Sequence, residues 1–432
     1  MNNSKKDVLT KLAEFNGIEV YHLEANKFKT NTINIFYLDN LSEETATLNA
    51  LLPAVLRRGS QTHRDLQKIS LYLEELYGAT FDCGVAKKGE VHLLHFYNEF
   101  VADKFLGGSS LFEKNFQLMT EIIYDPALEN GVFLEEYVDQ EKKNLQERIE
   151  SRLNDKQSYS VDKCFEEMCK GEPFAIYEYG RTEDIEAIDS KRLYSYYKTV
   201  LETLPMKVFI TGEISEKNKN LVIDYMSKLS RGQIKRLLDV DIHKDIKEAR
   251  DYEDKMNVNQ GKLSMGFRTN ISPKDPRYSS LVVLNGILGG GIHSKLFQNV
   301  REKASLAYYA FSRLEKFKGL MIISSGIEVT NKQKAFSIIM QQLQDIKDGV
   351  ISDNEIDSTL KTSETGIKSL KDTQLYMVDY YLSQLITGTG DDFDSTIEKI
   401  KSVTKEDVIN VSKNIQLDLV YFLTSNNEGQ DE

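Results

Sequence analysis

Residues 17–25 and 30–39 are rich in β-branched and aromatic residues in rough alternation with polar ones, the period of a strand, and both are predicted to be strands. Ser42 with Glu43 and Glu44 then opens a helix, and its positions through Leu56 are apolar on nearly every side, so this helix is expected to be buried. Pro53 inside it lacks a backbone donor and costs about 3 kcal/mol relative to alanine, which predicts a kink or change of direction. Residues 64–77 form a second helix with Leu66, Ile69, Leu73 and Leu76 on one face, and Gly78 stops it. A hairpin follows at 80–86 and 91–100, across Lys87, Lys88 and Gly89. A long helical stretch starts at 101 and ends at Pro126, and helices follow at 133–152, 156–170 and 188–201. A strand at 206–212 and a helix at 217–229 complete this half.

The stretch 231–254 is rich in charge and lacks apolar periodicity, so it reads as a linker or a hairpin wrapping between domains. From 261 the order recurs: a strand, two helices meeting at three glycines, then strands at 306–313 and 320–329. Helices at 332–348, 353–370, 375–387, 396–403 and 406–413 lead to a last strand at 418–424. The recurrence predicts an α+β fold of two related domains, 1–230 and 256–432, joined by a charged linker at 231–255. Each domain is expected to be an antiparallel sheet packed with helices.

Composition narrows the setting. The 432 residues are 40% hydrophobic and 28% charged, globular throughout, with room for two or three domains. No apolar run approaches the ~20 residues of a membrane span, and the first residues lack the apolar segment of a signal peptide, so the protein is expected in the cytoplasm. Three cysteines suit reduced thiols better than a disulfide framework. A net charge of -12 argues against nucleic acid or an anionic membrane surface as partner.

The chemistry concentrates between Asn285 and Ser312. Gly289, Gly290 and Gly291 break two helices and permit close approach of backbone or ligand. The second helix starts near Ser294, with Leu296, Phe297 and Val300 expected inward and Lys295, Gln298, Arg301 and Lys303 outward. Arg301 and Tyr308 then flank one corner, where a guanidinium fork and a phenol can both donate to a carbonyl or carboxylate. The plain alternative is an exposed arginine and a half-buried tyrosine with no ligand. The glycines do not form a phosphate loop, because they fall between helices and lack the G-x-x-x-x-G-K-[ST] order.

With these motifs in view, the chain resembles the pitrilysin (insulinase, mitochondrial-processing-peptidase) family of zinc metallopeptidases. GGGIHSKLFQNVREKASLAYYAFS is similar to the signature of that family's second domain, and LEELYGATFD, Asp125-Pro126 and MKVFITGEI also have counterparts there. The resemblance implies half of a peptidase clamshell, in which Arg301, Tyr308 and the 289–291 turn bind the substrate peptide. It also places TLNALLPAVLRRGS on the helix that carries H-x-x-E-H, where two histidines bind zinc and the glutamate is general base. Ala50 and Ala54 occupy the histidine positions and Pro53 that of the base, so none can bind zinc or move a proton. Arg148, one step from Glu147, falls on the distal glutamate ligand.

No other group replaces this site. His92 and His95 sit three apart in a strand and so point to opposite faces, and His63 and His293 stand alone. The resemblance therefore implies a catalytically degenerate member that binds no metal itself. Its partner would be an active zinc peptidase subunit of the same family, in a heterodimer acting on a peptide, and the resemblance adds a link to modification of elongation factor P. The competing readings are an independent metallopeptidase with an unrecognised site and a purely structural assembly subunit.

Overall fold

The computed structural model describes residues 8–107 and 110–426, and the two periodicities resolve there into thirteen strands and fourteen α-helices. Strands β1 (Leu9–Phe15), β2 (Ile18–Glu24) and β3 (Thr30–Asn40) precede α1 (Glu43–Leu56) and α2 (Leu66–Glu75). Hairpin β4 (Thr80–Lys88) and β5 (Val91–Val101) leads to α3 (Leu111–Tyr124), a small hairpin of β6 (Leu128–Glu129) and β7 (Val132–Phe133), and α4 (Glu135–Ser151). Helices α5 (Lys156–Met168), α6 (Thr182–Ile185) and α7 (Ser190–Thr203) then precede β8 (Met206–Gly212) and α8 (Glu216–Ser227). The later half runs β9 (Arg250–Met256), β10 (Gly261–Arg268), α9 (Tyr278–Gly289), β11 (Ala307–Glu315) and β12 (Leu320–Ile327). Helices α10 (Lys332–Lys347), α11 (Asp353–Leu370), α12 (Gln374–Thr387), α13 (Phe393–Lys401) and α14 (Lys405–Ser412) follow, and β13 (Gln416–Ser425) is the last element.

Two compact units result. The first comprises Met1–Glu150, Ile176–Asp239 and Gln374–Tyr381, and the second Ser151–Ala175, Val240–Thr373 and Leu382–Glu432. The first unit's sheet has the order β1-β2-β8-β3-β5-β4, and the second unit's β11-β12-β10-β13-β9. Leaving out β1, the two orders are the same list: β2-β8-β3-β5-β4 corresponds to β9-β13-β10-β12-β11. Each holds one parallel pair, β2 with β8 and β9 with β13, among antiparallel neighbours. The repeat suggested by element order is thus a repeat of sheet topology.

Two strands depart from the sequence reading. β1 has no counterpart in it, and all of β9 but its last residue lies in the stretch expected to be a linker. Both are edge strands, and β9 (RDYEDKM) is mostly exposed, held by its ladder to β13 and by Tyr252 stacked on Tyr421 at 5.9 Å. Charge on an edge strand deters further pairing and also erases the apolar alternation that would reveal it. The helix expected from 101 begins only at Leu111, because Phe100 and Val101 continue β5. Helix α1 runs through Pro53 to Leu56, since the proline falls in the last turn and leaves only the Asn49 carbonyl without its usual partner.

Each sheet packs against helices of its own unit. In the first, Ile33, Ile35, Tyr37, Leu94 and Phe96 pack with Leu51, Val55, Phe116 and Met119 of α1 and α3. The start of α12 is tied to the same unit: Gln374 Nε2 donates to the Thr30 carbonyl at 2.9 Å, and Lys88 pairs with Asp379 at 2.7 Å. In the second unit, Leu263, Met265 and Phe267 pack with Leu281, Leu284 and Leu288 of α9. On the opposite face Val161, Cys164, Phe165 and Met168 of α5 meet Leu320, Ile322, Leu419 and Tyr421. A Cβ on Gly266 would lie 2.5 Å from the Met168 sulfur, so only glycine lets α5 approach β10. Just after α5, Glu172 receives Arg268 at 2.7 Å and Lys318 at 2.9 Å, and Arg268 also reaches Asp418 at 2.9 Å.

Candidate functional site

Helix α1 is amphipathic in no direction, and it carries the three positions that the resemblance assigns to metal binding and the general base. Ala50 is 8% exposed, Pro53 is buried and Ala54 half-buried, and each offers only a small apolar side chain. The thiol of Cys83 on β4 donates to the Pro53 carbonyl at 3.1 Å, and burial pushes that thiol up to about 12. It is therefore a neutral packing group at pH 7. Beside Ala50, Asn49 sits in a buried polar network. Its amide donates to Asp39 at 3.2 Å and lies 3.1 Å from His92 Nδ1, while the Tyr196 hydroxyl donates to Asn49 Oδ1 at 2.6 Å. Lys235 closes the network by pairing with Asp39. Burial holds His92 down to about 4, although Asp39 opposes the shift.

Arg148 lies exposed on α4, where it donates from Nη1 to the Tyr179 hydroxyl at 2.7 Å and covers the Tyr179 ring at 4.9 Å. Two turns earlier, buried Glu141 pairs with Arg58 just past the end of α1. His95 points away from His92, as its spacing in β5 requires: it bonds Asn34 Oδ1 at 2.9 Å and stacks on Phe36 at 4.1 Å. His63 lies 3.2 Å from Glu121, and His293 lies 3.0 Å from the Thr359 hydroxyl. Among the described residues no group of three or more His, Cys, Asp or Glu is placed to hold a metal ion. Ala50, Pro53, Ala54 and Arg148, the residues that the resemblance puts at the zinc positions, carry no group that fits zinc.

The second unit places the glycines and the Arg/Tyr pair. None of Gly289, Gly290 and Gly291 takes a positive φ. Their role is close approach: a Cβ on Gly289 would lie 2.3 Å from the Ser312 amide nitrogen of β11, and one on Gly290 would lie 2.7 Å from the Gly286 Cα. Gly291 is freer, with His293 at 3.3 Å as its nearest neighbour. Beyond them Leu296 and Val300 are buried as expected, but Lys295 is buried too and pairs with Glu355 of α11 at 2.9 Å. This differs from the outward position that helical spacing predicts, because spacing alone does not reveal a carboxylate on a neighbouring helix.

The segment Phe297–Lys303 is π-helical, and the Ala304 amide bonds the Asn299 carbonyl five residues back. Arg301 is exposed on it, lying over the Phe297 ring at 4.7 Å and 3.6 Å from Glu302. Tyr308 is the extra residue of a β-bulge: Ala307 stands opposite Ile327 and Tyr309 opposite Gly326. The bulge leaves Tyr308 61% exposed, while Tyr309 is the half-buried tyrosine of the pair. Gly326 makes room for the Tyr309 ring, which a Cβ there would meet at 2.6 Å. Both Arg301 and Tyr308 thus carry donors facing solvent, and neither is committed to the core. The π-turn and the bulge that arrange this had no sequence signal beyond the glycines and the doubled tyrosine.

A protein-family model described as "Peptidase M16 inactive domain" matches residues 187–362. The chain is 37% identical over 409 residues to "Probable inactive metalloprotease YmfF" of Bacillus subtilis (strain 168), covering 94% of this chain and 96% of that protein. Among solved structures, a conserved protein from Enterococcus faecalis V583 superposes with a TM-score of 0.91 at 26% identity, over 98% of this chain and 100% of that one. A peptidase M16 inactive domain from Pseudomonas fluorescens superposes with a TM-score of 0.79 at 15% identity, over 97% and 98% of the two chains, a likeness of fold alone. No helix among the described residues is long and apolar enough to cross a membrane.

Proposed function

Because this chain belongs to the M16 peptidase family, as an inactive homologue similar to YmfF, we propose that it is the non-catalytic subunit of a cytoplasmic heterodimer and binds peptide for an active partner. The partner, a chain of the same family bearing H-x-x-E-H, supplies the zinc. This chain contributes Arg301 and Tyr308 as peptide donors, with the 289–291 turn setting their support.

One contrast carries the reading. The positions that the resemblance assigns to metal binding hold groups that pack, whereas Arg301 and Tyr308 remain exposed, the tyrosine through a bulge that turns it out of its sheet. A purely structural subunit has no need for that bulge, and an independent metallopeptidase needs ligands that α1 lacks. A guanidinium fork and a phenol suit the carbonyls or terminal carboxylate of an extended peptide.

Co-purification from the native host is the test. The expected result is a stoichiometric complex with an H-x-x-E-H chain, with zinc in the complex and none in this subunit alone. Recovery of only a homodimer, or stoichiometric zinc with peptide cleavage by the isolated chain, would overturn the proposal. A role in modification of elongation factor P rests on the resemblance and is checked by the mass of that factor in a strain lacking this chain.

A further inference from the structure

The segment that carries Arg301 departs from an α-helix, and the departure is held from outside. Phe297–Lys303 is π-helical, with the Ala304 N–H on the Asn299 carbonyl at 3.3 Å and the Leu306 N–H on the Val300 carbonyl at 3.1 Å. A turn of this kind gains no hydrogen bond over an α-turn, is rare, and sends every later residue to a different face than α-helical spacing predicts. Ser305 leaves it at φ 49°, a left-handed conformation that a residue with a Cβ adopts only at a cost. The π-turn, Ser305 and the Tyr308 bulge thus follow one another between Phe297 and Tyr308. Strain of this kind persists only where surrounding contacts over-determine it.

Asn299 supplies such a contact. Its Nδ2 donates to Gln342 Oε1 of α10 at 2.5 Å, and its Oδ1 accepts from Lys303 Nζ at 3.0 Å. Gln342 is 6% exposed, and its own Nε2 donates to the Ile338 carbonyl at 3.3 Å. Both oxygens of the two amides accept and both nitrogens donate, so neither amide can rotate away without leaving a polar group unpaired where water does not reach it. The main-chain carbonyl of the same Asn299 takes the Ala304 N–H, so one residue joins α10 to the π-turn through both its side chain and its backbone. Val300 next to it is buried, and Arg301 follows, exposed.

We propose that Asn299 and Gln342 are positioning residues of the peptide site, which lock the π-turn in the register that presents Arg301 to a bound peptide. This rests on the peptide-binding reading and adds to it two residues that touch no substrate. Released from α10, the segment relaxes toward α-helical spacing, and Arg301 is carried round the helix axis to another face.

Hydrogen exchange of the full chain, with peptide affinity of the complex it forms with its co-purified partner, tests this. Gln342→Leu removes the acceptor at nearly constant volume, and Asn299→Ala removes the donor. In both variants the Ala304 and Leu306 amides should exchange at least about tenfold faster while those of α9 and β12 keep their rates, a local loosening and not a general loss of stability. The affinity probe is a fluorescein-labelled degenerate decapeptide library, suitable because a guanidinium reads main-chain carbonyls, with zinc chelated so that no probe is cut. Asn299→Ala should weaken binding about two- to threefold, and should add nothing in an Arg301→Ala background, because it acts through Arg301. Wild-type affinity in Asn299→Ala, losses that add to that of Arg301→Ala, or unchanged exchange at Ala304 and Leu306 would each overturn this proposal and leave the peptide reading standing. Wild-type affinity in Arg301→Ala would overturn both.

Discussion

The Arg148 guanidinium lies 4.9 Å from the centre of the Tyr179 ring and donates to the Tyr179 hydroxyl at 2.7 Å. This places a positively charged group, engaged with an aromatic ring, where the family resemblance would put an anionic zinc ligand. The resemblance thus implies that degeneration extends beyond α1, and on that alignment restoring α1 alone should leave a cation at the distal ligand position. We expect the triple variant Ala50→His, Pro53→Glu, Ala54→His to bind zinc at least about tenfold more weakly than the same variant with Arg148→Glu added. Competition against a chromogenic chelator measures this, and equal affinities would show that Arg148 does not occupy the ligand position.

Arg301 and Tyr308 are both exposed, so removing their donors should leave stability within about 0.5 kcal/mol of wild type. Arg301→Ala with Tyr308→Phe is expected to weaken peptide binding by the complex roughly tenfold and to leave assembly intact. A clamp in this chain's own metal-free half predicts little change in turnover at saturating peptide. Completion of the partner's zinc site predicts a fall in turnover with binding hardly altered. In the family the pair serves the site of its own chain, which favours the clamp. Wild-type affinity and turnover together would return both residues to a structural role.

The glycine turn divides into positions of unequal tolerance. Gly289→Ala brings a methyl group to 2.3 Å from the Ser312 backbone nitrogen, which cannot swing aside as a side chain can. A loss of about 1–3 kcal/mol is expected. Gly291→Ala meets only the His293 ring at 3.3 Å, without a positive φ, and should be close to neutral. Urea midpoints of the two variants give the order directly, and an equal or reversed order would refute this account of the turn.

Acid should weaken the second unit through Glu172. Burial raises its pKa, but hydrogen bonds from Arg268, Lys244 and Lys318 outweigh burial and hold the carboxyl at about 2, below its ordinary 4.5. A group whose folded pKa is depressed contributes stability that is fully present above the unfolded value. That contribution is lost as pH falls from about 4.5 towards 2. Glu172→Gln should flatten the fall in urea midpoint across this window. Arg268→Met, which leaves nearly inaccessible Asp418 without one of its partners, should cost about 3–5 kcal/mol at neutral pH. An unchanged acid profile in Glu172→Gln would sink the electrostatic account.

Sequence alone determined the elements that bury an apolar face. The alternation in 30–39 and the dense apolar run before Leu56 survive as β3 and α1, because burying such surface dominates local structure. The apolar identities of Ala50, Pro53 and Ala54 were equally legible, since residue identity needs no tertiary structure to be read. Tertiary structure decided what has no local signature. Strand β9 exists because β13 offers it a ladder, although its own residues are charged. Lys295 turns inward because Glu355 waits on another helix, and Tyr308 rather than Tyr309 faces solvent because one residue too many opposes Gly326 and Ile327. In each case the deciding partner is distant in sequence, so the contact energy that fixes the residue cannot be read from its neighbours along the chain.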